Sequence, residues 1–381
     1  MVSETVSPTL VECLRELPDP RKPINQDHQF IDIMVIGICA IIAGADGFSG
    51  MAAFGQAKEE WFRTFLELPN GIPSHDTFGA VFARLKPSAF QECFLRWVQG
   101  LTTKVESEVV PIDGKRLRRS HDRSHGQAAI ELVSAWASSQ RLTLGQVKVA
   151  ADSNEITAVP ELLKVLALAG CIVTLDALNT QKETVAAIVA QEADYVIALK
   201  GNHATLLEAV TELCEAVREG RTANIPFETW ETVDGEHGRI ETRRYWQIAA
   251  PDYLPERQAW RNWQTIGMVE ATRELKGQTT TERRYYLSSL PVAVQRFAHA
   301  VRTHWSIENS CHWILDVVFR EDDSRVRNGH AAENLGLLRR LALTLLQQER
   351  SRKVGVQLKR LTAGWDEKYL LKVLNGKVIN I

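Results

Sequence analysis

Two short apolar runs that each end in an aspartate constrain the fold of this chain most. They are VVPID at 109–113 and CIVTLD at 171–176. Continuous apolar runs of this length are typical of central strands that are buried on both faces. Aspartate is depleted within strands because its side chain competes with the backbone for hydrogen bonds. We therefore predict that Asp113 and Asp176 lie at the ends of two buried strands.

The segments around these runs alternate between strand and helix patterns. Asn154 is suited to cap the start of a helix, and Gly170 follows its end. The predicted strands are 109–115, 128–137, 142–150, 171–177 and 194–200, and the predicted helices are 154–168, 180–191 and 204–219. This order predicts an α/β fold with a mixed sheet and helices on its faces.

The first hundred residues are predicted to be helical. Apolar residues recur at helical spacing, and Ser74 with Asp76 supplies an N-cap and an acidic first turn. The predicted helices cover 28–45, 49–67, 87–101 and a segment that Pro73 opens. Such a module can contain a helix–turn–helix element, and a plain packing domain fits the pattern at least as well.

A β-rich segment separates the α/β core from a helix that returns to it. Strands with charged outer faces are predicted at 239–248, 265–272 and 281–288, and helices from Pro291 and over 331–348. We therefore divide the chain into a helical N-terminal domain at 1–103, a core at 104–220 and 291–350, a β-rich insertion at 221–290, and a C-terminal tail at 351–381.

Composition limits the class of protein. Of 381 residues, 45% are hydrophobic and 24% are charged, and a net charge of −2 means that the chain is not uniformly basic. The most apolar run, 33–45, is too short to span a bilayer, and the first residues do not read as a signal peptide. The six cysteines form no CxxC pair. We expect a cytoplasmic, nucleoid-associated protein with no membrane partner and with reduced, mostly buried thiols.

Glu308, within HWSIENSCHW at 304–313, lies where the helical pattern calls for an apolar residue. Val294, Val301 and Leu315 are spaced from it by multiples of seven, which is close to whole helical turns. This row is predicted to face a core. A buried carboxylate needs a cation, hydrogen-bond donors or a metal. We therefore predict a ligand role for Glu308, with a tolerated glutamate at the rim of the row as the alternative.

The three acidic residues converge if the helix of Glu308 covers the predicted sheet. Ligand sites of open α/β sheets lie at the carboxyl ends of strands, which is where Asp113 and Asp176 are predicted. Clustered carboxylates repel one another unless cations bind them, and an all-oxygen set suits Mg²⁺ or Mn²⁺. For either aspartate alone, a helix cap is the alternative.

Other ligand sets lie in the same segment as Glu308. Asp316, Glu321 and Asp322 are rival third carboxylates, although none of them replaces an apolar residue in the row. A zinc site of His304, Glu308 and His312 fits less well, because residues four and eight apart diverge around a helix.

Several long motifs resemble one family. They are VVPIDGKRLRRS, CIVTLDALNTQ, YVIALKGNH, DGEHGRIETRR and VRTHWSIENSCHWILDVVFREDDSRVRNGHAAENLGLLRRLAL. They resemble insertion-sequence DDE transposases of the group that includes the H-repeat-associated proteins, and LPDPRKP…GIPSHDTF resembles that group's N-terminal associated domain. The resemblance implies an RNase H-like core and a catalytic, metal-binding triad of Asp113, Asp176 and Glu308. His203 stands where glutamine is expected, which affects no catalytic residue.

The resemblance implies an enzyme that cleaves DNA at the ends of an insertion sequence and joins the 3′-hydroxyl ends to target DNA. Two Mg²⁺ or Mn²⁺ ions would activate the attacking oxygen and stabilise the leaving oxygen. The expected partners are double-stranded DNA, at terminal inverted repeats and target, and further copies of the chain on that DNA. The alternatives are a metal-dependent nuclease that does not transpose and a DNA-binding regulator.

Basic and aromatic residues supply candidates for DNA contact. The candidates are Lys115, Arg116, Lys200, Arg239, Arg302 and His312. KRLRRS at 115–120 has four cations in six residues, and 320–360 has ten Lys and Arg against five Asp and Glu. Such stretches neutralise phosphates, although snorkelling lysines and solvated helix faces give similar counts. Three tryptophans of the β-rich segment could stack on an extruded base: Trp230, Trp246 and Trp263. Packing in the core is the alternative role for each of them.

Overall fold

The structure is a computed structural model, and it describes residues 8–102, 107–121, 128–150, 153–222, 224–236, 239–275 and 278–375. The chain divides into two compact units. The first unit comprises Met1–Lys104, Gly114–Asp152 and Glu308–Ile381. The second comprises Val105–Asp113 and Ser153–Ile307, so the boundary crosses one strand directly after Asp113.

The described part of the first unit is mainly helical. Its helices are α1 (Leu10–Arg15), α2 (Phe30–Ile42), α3 (Phe48–Ala57), α4 (Glu59–Phe62), α5 (His75–Arg84) and α6 (Pro87–Leu101), and, further along the chain, α11 (Trp313–Val317), α12 (Ala331–Gln348), α13 (Val356–Trp365) and α14 (Glu367–Asn375). It also holds the end of strand β1 (Val109–Arg116) and the antiparallel strands β2 (Glu131–Ala137) and β3 (Leu142–Lys148).

Helix α12 forms the centre of the first unit. It packs against α2, α5, α6 and β3, and nearly all of its side chains are buried. Asn334 on α12 donates hydrogen bonds to the carbonyl oxygens of Phe82 and Leu85, both at 2.8 Å, at the end of α5. The cap predicted for α5 is confirmed, because the Ser74 hydroxyl accepts a hydrogen bond from the Thr77 amide at 3.2 Å.

The second unit contains a mixed sheet. Its remaining strands are β4 (Ile172–Leu175), β5 (Asp194–Leu199), β6 (Phe227–Glu236), β7 (Arg239–Ala249), β8 (Thr265–Leu275) and β9 (Gln278–Ser288), and its helices are α7 (Glu155–Val165), α8 (Lys182–Ala190), α9 (Ala204–Arg218) and α10 (Val294–His304). The strand order is β1-β4-β5-β9-β8-β7-β6. The pairs β1–β4 and β4–β5 are parallel, and the later pairs are antiparallel.

Helix α10 covers this sheet. It contacts β4, β5, β6 and β7, and its apolar residues form one buried cluster with residues of these strands. Gly267 on β8 has no side chain to hold Phe297 of α10 away, and a Cβ at that glycine would lie 2.1 Å from the Phe297 ring. A strand glycine here therefore permits close helix–sheet packing.

The predicted fold class is confirmed, including the order of strands and helices from 109 to 218. The β-rich segment holds one strand more than predicted, because β6 carries exposed charged and polar residues along its length. The described residues include no helix that is both long and apolar enough to cross a membrane. All six cysteines are free, and five of them are buried as predicted.

Candidate active site

Asp113 and Asp176 come together through the register of two parallel strands. Val109 pairs with Ile172, and Pro111 pairs with Thr174. Continuing this register by two residues brings Asp113 level with Asp176, which directly follows β4. Neighbouring strands lie about 4.8 Å apart, and in-register residues of parallel strands project to the same face. This register therefore places the two carboxylates on one face of adjacent strands, with Asp113 within β1 and Asp176 directly after β4.

A histidine joins this pair of aspartates. His304 is the last residue of α10, and its Nδ1 lies 2.9 Å from the Thr174 hydroxyl on β4. Burial lowers the pKa of His304, and the negative charges of Asp113 and Asp176 oppose that effect only in part. The imidazole is therefore neutral at pH 7, with both aspartates close enough to act on its charge.

The loop after β4 fixes the orientation of Asp176. Its Oδ1 accepts hydrogen bonds from the backbone amide of Asn179 at 3.1 Å and from the side-chain amide of Asn179 at 2.9 Å. The same side-chain amide donates to Glu155 at 2.9 Å. Asn179 is completely buried, and its Oδ1 has no hydrogen-bond partner among the residues that the structure describes. The loop thus holds Asp176 and places a second polar oxygen beside it.

The Glu308 side chain does not point in the direction that the sequence predicts. Val294, Val301 and Leu315 are buried, as the seven-residue spacing predicts, whereas Glu308 is exposed. The reason is that Glu308–His312 forms a π-helix, whose i→i+5 hydrogen bonds shift the phase of the residues within it. The expectation that Glu308 faces a core is therefore wrong. Single-turn π-helices occur frequently at functional sites.

The donor chemistry of Asp113 and Asp176 fits a hard divalent cation. Both are carboxylates on one face of the sheet, and carboxylate oxygens are the ligands that Mg²⁺ and Mn²⁺ prefer. Among the described residues, no group of three or more His, Cys, Asp or Glu side chains is arranged to hold a metal ion.

The candidate DNA-binding residues differ in exposure. Arg116, Lys200 and Arg302 are exposed and accessible to phosphate. Arg239 begins β7, and its side chain lies outside the described residues. Lys115 and His312 are buried.

Burial corrects two of these assignments. The segment after the π-helix covers Lys115 and contributes carboxylates that contact it. The distance between Lys115 Nζ and Asp316 Oδ1 is 2.5 Å. His312 is buried because the π-helix turns it inward. We therefore do not assign either side chain to DNA. In the basic stretch at 320–360, four of the ten cations are buried, so their number overstates the surface charge: Arg339, Arg340, Lys359 and Arg360.

An exposed tryptophan in the second unit was not among the predicted residues. Trp305 directly follows His304 and is 39% exposed, and the Arg284 guanidinium lies 5.2 Å from its ring centroid. We call Arg284, Arg302 and Trp305 the Trp305 patch. No sequence signal indicated this exposure, because Trp305 lies four residues after the buried Val301 and so continues the apolar spacing of α10. Of the predicted stacking residues, Trp263 is buried in the core and Trp230 is 39% exposed.

Comparison with known proteins agrees with this fold. Residues 104–345 match the family described as "Transposase DDE domain", and residues 11–98 match the family described as "DDE_Tnp_1-associated". The chain belongs to the DDE transposase family.

Its relatives include proteins of similar length. "H repeat-associated putative transposase YhhI" of Escherichia coli (strain K12) is 35% identical over 373 residues, which cover 96% of this chain and 98% of that protein. "Putative transposase YncI" of Escherichia coli O157:H7 is 35% identical over 370 residues, which cover 96% and 94%. "Uncharacterized protein in dhlA 3'region" of Xanthobacter autotrophicus is 40% identical over 277 residues, which cover 72% and 92%.

Proposed function

We propose that this transposase cleaves phosphodiester bonds at the ends of an insertion sequence and joins the resulting 3′-hydroxyl ends to target DNA. The proposed catalytic residues are Asp113, Asp176 and Glu308. The observation that supports the proposal is the parallel register of β1 and β4, in which Pro111 pairs with Thr174, two residues before Asp113 and Asp176. Two carboxylates on one face of adjacent strands, one of them directly after its strand, are suited to bind cations beside a phosphate.

We propose that the three carboxylates hold two divalent ions, Mg²⁺ or Mn²⁺. When bound, such ions supply Lewis-acid activation of the attacking oxygen and charge stabilisation of the leaving oxygen. Asp113 and Asp176 provide the donors of the second unit. Glu308 is exposed in its π-helix, and its carboxylate is therefore accessible to ions and to DNA.

Neighbouring side chains prepare the aspartates for this role. Asn179 donates from its backbone amide and from its side-chain amide to Asp176 Oδ1, which limits the rotation of that carboxylate. His304 is held against Thr174 and is neutral because of the lowered pKa described above. A neutral imidazole adds no positive charge that would compete with cations for the aspartates, and its second nitrogen can hydrogen bond to water or to DNA.

DNA contact is proposed for the exposed cations and the Trp305 patch. Arg302 and Arg284 supply positive charge, and the Trp305 ring supplies a surface on which a base can stack. Lys200, at the end of β5, is exposed as well. We further propose that the helical segment at 1–103 binds the ends of the element. Since two ends must be joined in one reaction, the active form on DNA is proposed to be a homo-oligomer.

The test is a cleavage assay on duplex DNA that carries the terminal inverted repeats and their flanks, with Mg²⁺ and with product ends mapped on a sequencing gel. Asp113→Asn, Asp176→Asn and Glu308→Gln should each reduce cleavage at least a thousandfold while DNA affinity changes by less than about threefold. Asp194→Asn is the matched control, because this strand aspartate contacts Ser289 and Arg296 rather than the candidate site.

Joining is measured separately with a pre-cleaved end that carries a 3′-hydroxyl. A wild-type protein that cleaves but does not join is a nuclease, and one that binds without cleaving is a regulator. Cleavage that survives Asp113→Asn would contradict the proposed site.

A further inference from the structure

Lys115 lies in a cluster of carboxylates within the first unit. Its side chain is only 6% exposed, and its Nζ is 2.5 Å from Asp316 Oδ1 and 3.1 Å from Asp322 Oδ1. Glu321 Oε2 lies 3.8 Å away. All three carboxylates belong to the segment that follows the π-helix of Glu308. The ammonium group is therefore surrounded by carboxylates and does not face solvent.

Two buried arginines belong to the same cluster. Glu321 is completely buried, and its Oε1 lies 3.0 Å from Arg340 Nη1 and 4.0 Å from Arg339 Nη1. Arg340 also donates to the Ser134 hydroxyl on β2 at 3.2 Å. Arg118 also contributes, with its Nε 3.1 Å from Asp322 Oδ2, so that four cations face three carboxylates. The loss of a buried member leaves the charges that it contacts with fewer partners.

The cluster joins two elements that carry proposed catalytic residues. Lys115 is two residues after Asp113 on the same strand. Asp316 lies on α11, eight residues after Glu308, in a segment that is helical throughout from Glu308 to Val317. The ion pairs of Lys115 therefore connect the continuation of β1 directly to the helix that begins at Glu308.

We propose that Lys115 is a positioning residue of the active site. It acts through Asp316 and Asp322 to fix the strand that leaves Asp113 and the helix that follows Glu308. This inference rests on the proposed function, since it concerns the same carboxylates. A positioning role for Lys115 replaces the predicted contact with DNA, because a buried ammonium group that is held by carboxylates is not accessible to a phosphate.

The physical reason is that buried ion pairs specify geometry better than they add stability. Their mutual attraction mainly offsets the cost of removing the charges from water. Their directional contacts, however, allow only one arrangement of the groups that carry them, and carboxylates that bind cations must be placed within fractions of an ångström. A methionine at position 115 preserves the packing and loses the directional contacts.

The test compares full-length wild type, Lys115→Met and Lys115→Arg. The matched control is Lys359→Met, because Lys359 is another buried lysine of the first unit, at 9% exposure, and lies 3.9 Å from Glu349. Three quantities are measured: the Mg²⁺ dependence of single-turnover cleavage, DNA affinity as a function of salt in EDTA, and the urea midpoint of unfolding.

The expected result is specific to cation use. Lys115→Met should raise the Mg²⁺ concentration for half-maximal cleavage at least tenfold and lower the maximal rate, and Lys115→Arg should restore part of both. The DNA affinity and the salt slope of Lys115→Met should equal those of wild type. Lys359→Met should lower the urea midpoint with no change in Mg²⁺ dependence. Asp322→Asn removes a half-buried partner of Lys115 and should also raise the Mg²⁺ concentration for half-maximal cleavage. This variant replaces Lys115→Met in the test if Lys115→Met does not fold.

Three results would overturn the inference. If the salt slope of DNA binding were lower by about one in Lys115→Met than in wild type, Lys115 would contact a DNA phosphate. A lower urea midpoint with wild-type Mg²⁺ dependence would make Lys115 a structural residue only. A wild type that binds but never cleaves its DNA ends would overturn the proposed function as well, whereas the first two results leave that function intact.

Discussion

Replacing Gly267 with alanine tests how closely α10 must pack on the sheet of the second unit. An alanine Cβ at this position would lie 2.1 Å and 2.3 Å from two atoms of the Phe297 ring. Phe297 is completely buried, and its ring packs edge-on against Tyr286 with centroids 5.6 Å apart. The ring therefore has no open space into which it can retreat.

The magnitude follows from these distances. Ordinary van der Waals contact begins near 3.4 Å, so the ring and the new methyl must separate by about 1.3 Å. Overpacking of a filled core costs about 1–3 kcal/mol, and this contact is severe enough to lie at about 3 kcal/mol. Because His304 ends α10, a displaced helix would also draw the imidazole away from Thr174.

The assay is urea unfolding of Gly267→Ala, Phe297→Leu and the double variant. Phe297→Leu alone should cost about 1–2 kcal/mol from lost burial. The double variant should cost at least about 1 kcal/mol less than the sum, since the smaller side chain makes room for the methyl. Gly235→Ala is the control, because a Cβ there meets no atom within 4 Å. A nearly neutral Gly267→Ala, or strictly additive costs, would refute the packing argument.

Two further predictions concern charge and DNA contact. Burial opposes the charged form of Glu321, but Arg340, Arg339 and Lys115 outweigh it and hold its pKa below the usual 4.5. Its contribution to stability is thus fully present above about pH 4.5 and is lost as pH falls through the lowered pKa. Glu321→Gln should cost about 3–5 kcal/mol at pH 7 and flatten the acid side of a plot of urea midpoint against pH, and an unchanged acid side would contradict this. Trp305→Ala should weaken binding to the DNA ends by about 1–3 kcal/mol with an unchanged salt slope, and Arg302→Ala should reduce that slope by about one in the same titrations. Identical salt slopes in both variants would count against the Trp305 patch.

One of the two aspartates lies at a strand end, as its local sequence predicts. A continuous apolar run indicates a strand buried on both faces, and an aspartate is expected at the end of such a run. Asp176 directly follows β4, whereas β1 continues through Asp113 to Arg116. Strand β6 lacked this signal because its side chains are mostly exposed and polar, and its pairing with β7 determines it.

The phase of Glu308 was not predictable from a seven-residue spacing. That spacing assumes an uninterrupted α-helix, whereas Glu308 begins a π-helix, whose residues do not follow α-helical spacing. The burial of Lys115 was equally hidden, because its partners lie about two hundred residues away in sequence. Charge counts over 320–360 failed for the same reason, since α12 turns Arg339 and Arg340 into the core.

Strand β1 is held on both sides of Asp113, by two different kinds of interaction. Before Asp113, backbone pairing from Val109 to Pro111 sets its register against β4. After Asp113, the ion pairs of Lys115 hold its continuation to the segment that follows Glu308. A strand that slipped along β4 would have to break the backbone ladder and the ion pairs together, and each alone resists a different displacement. Asp113, which is proposed to bind cations, lies between these two restraints, and both of them limit the movement of its backbone.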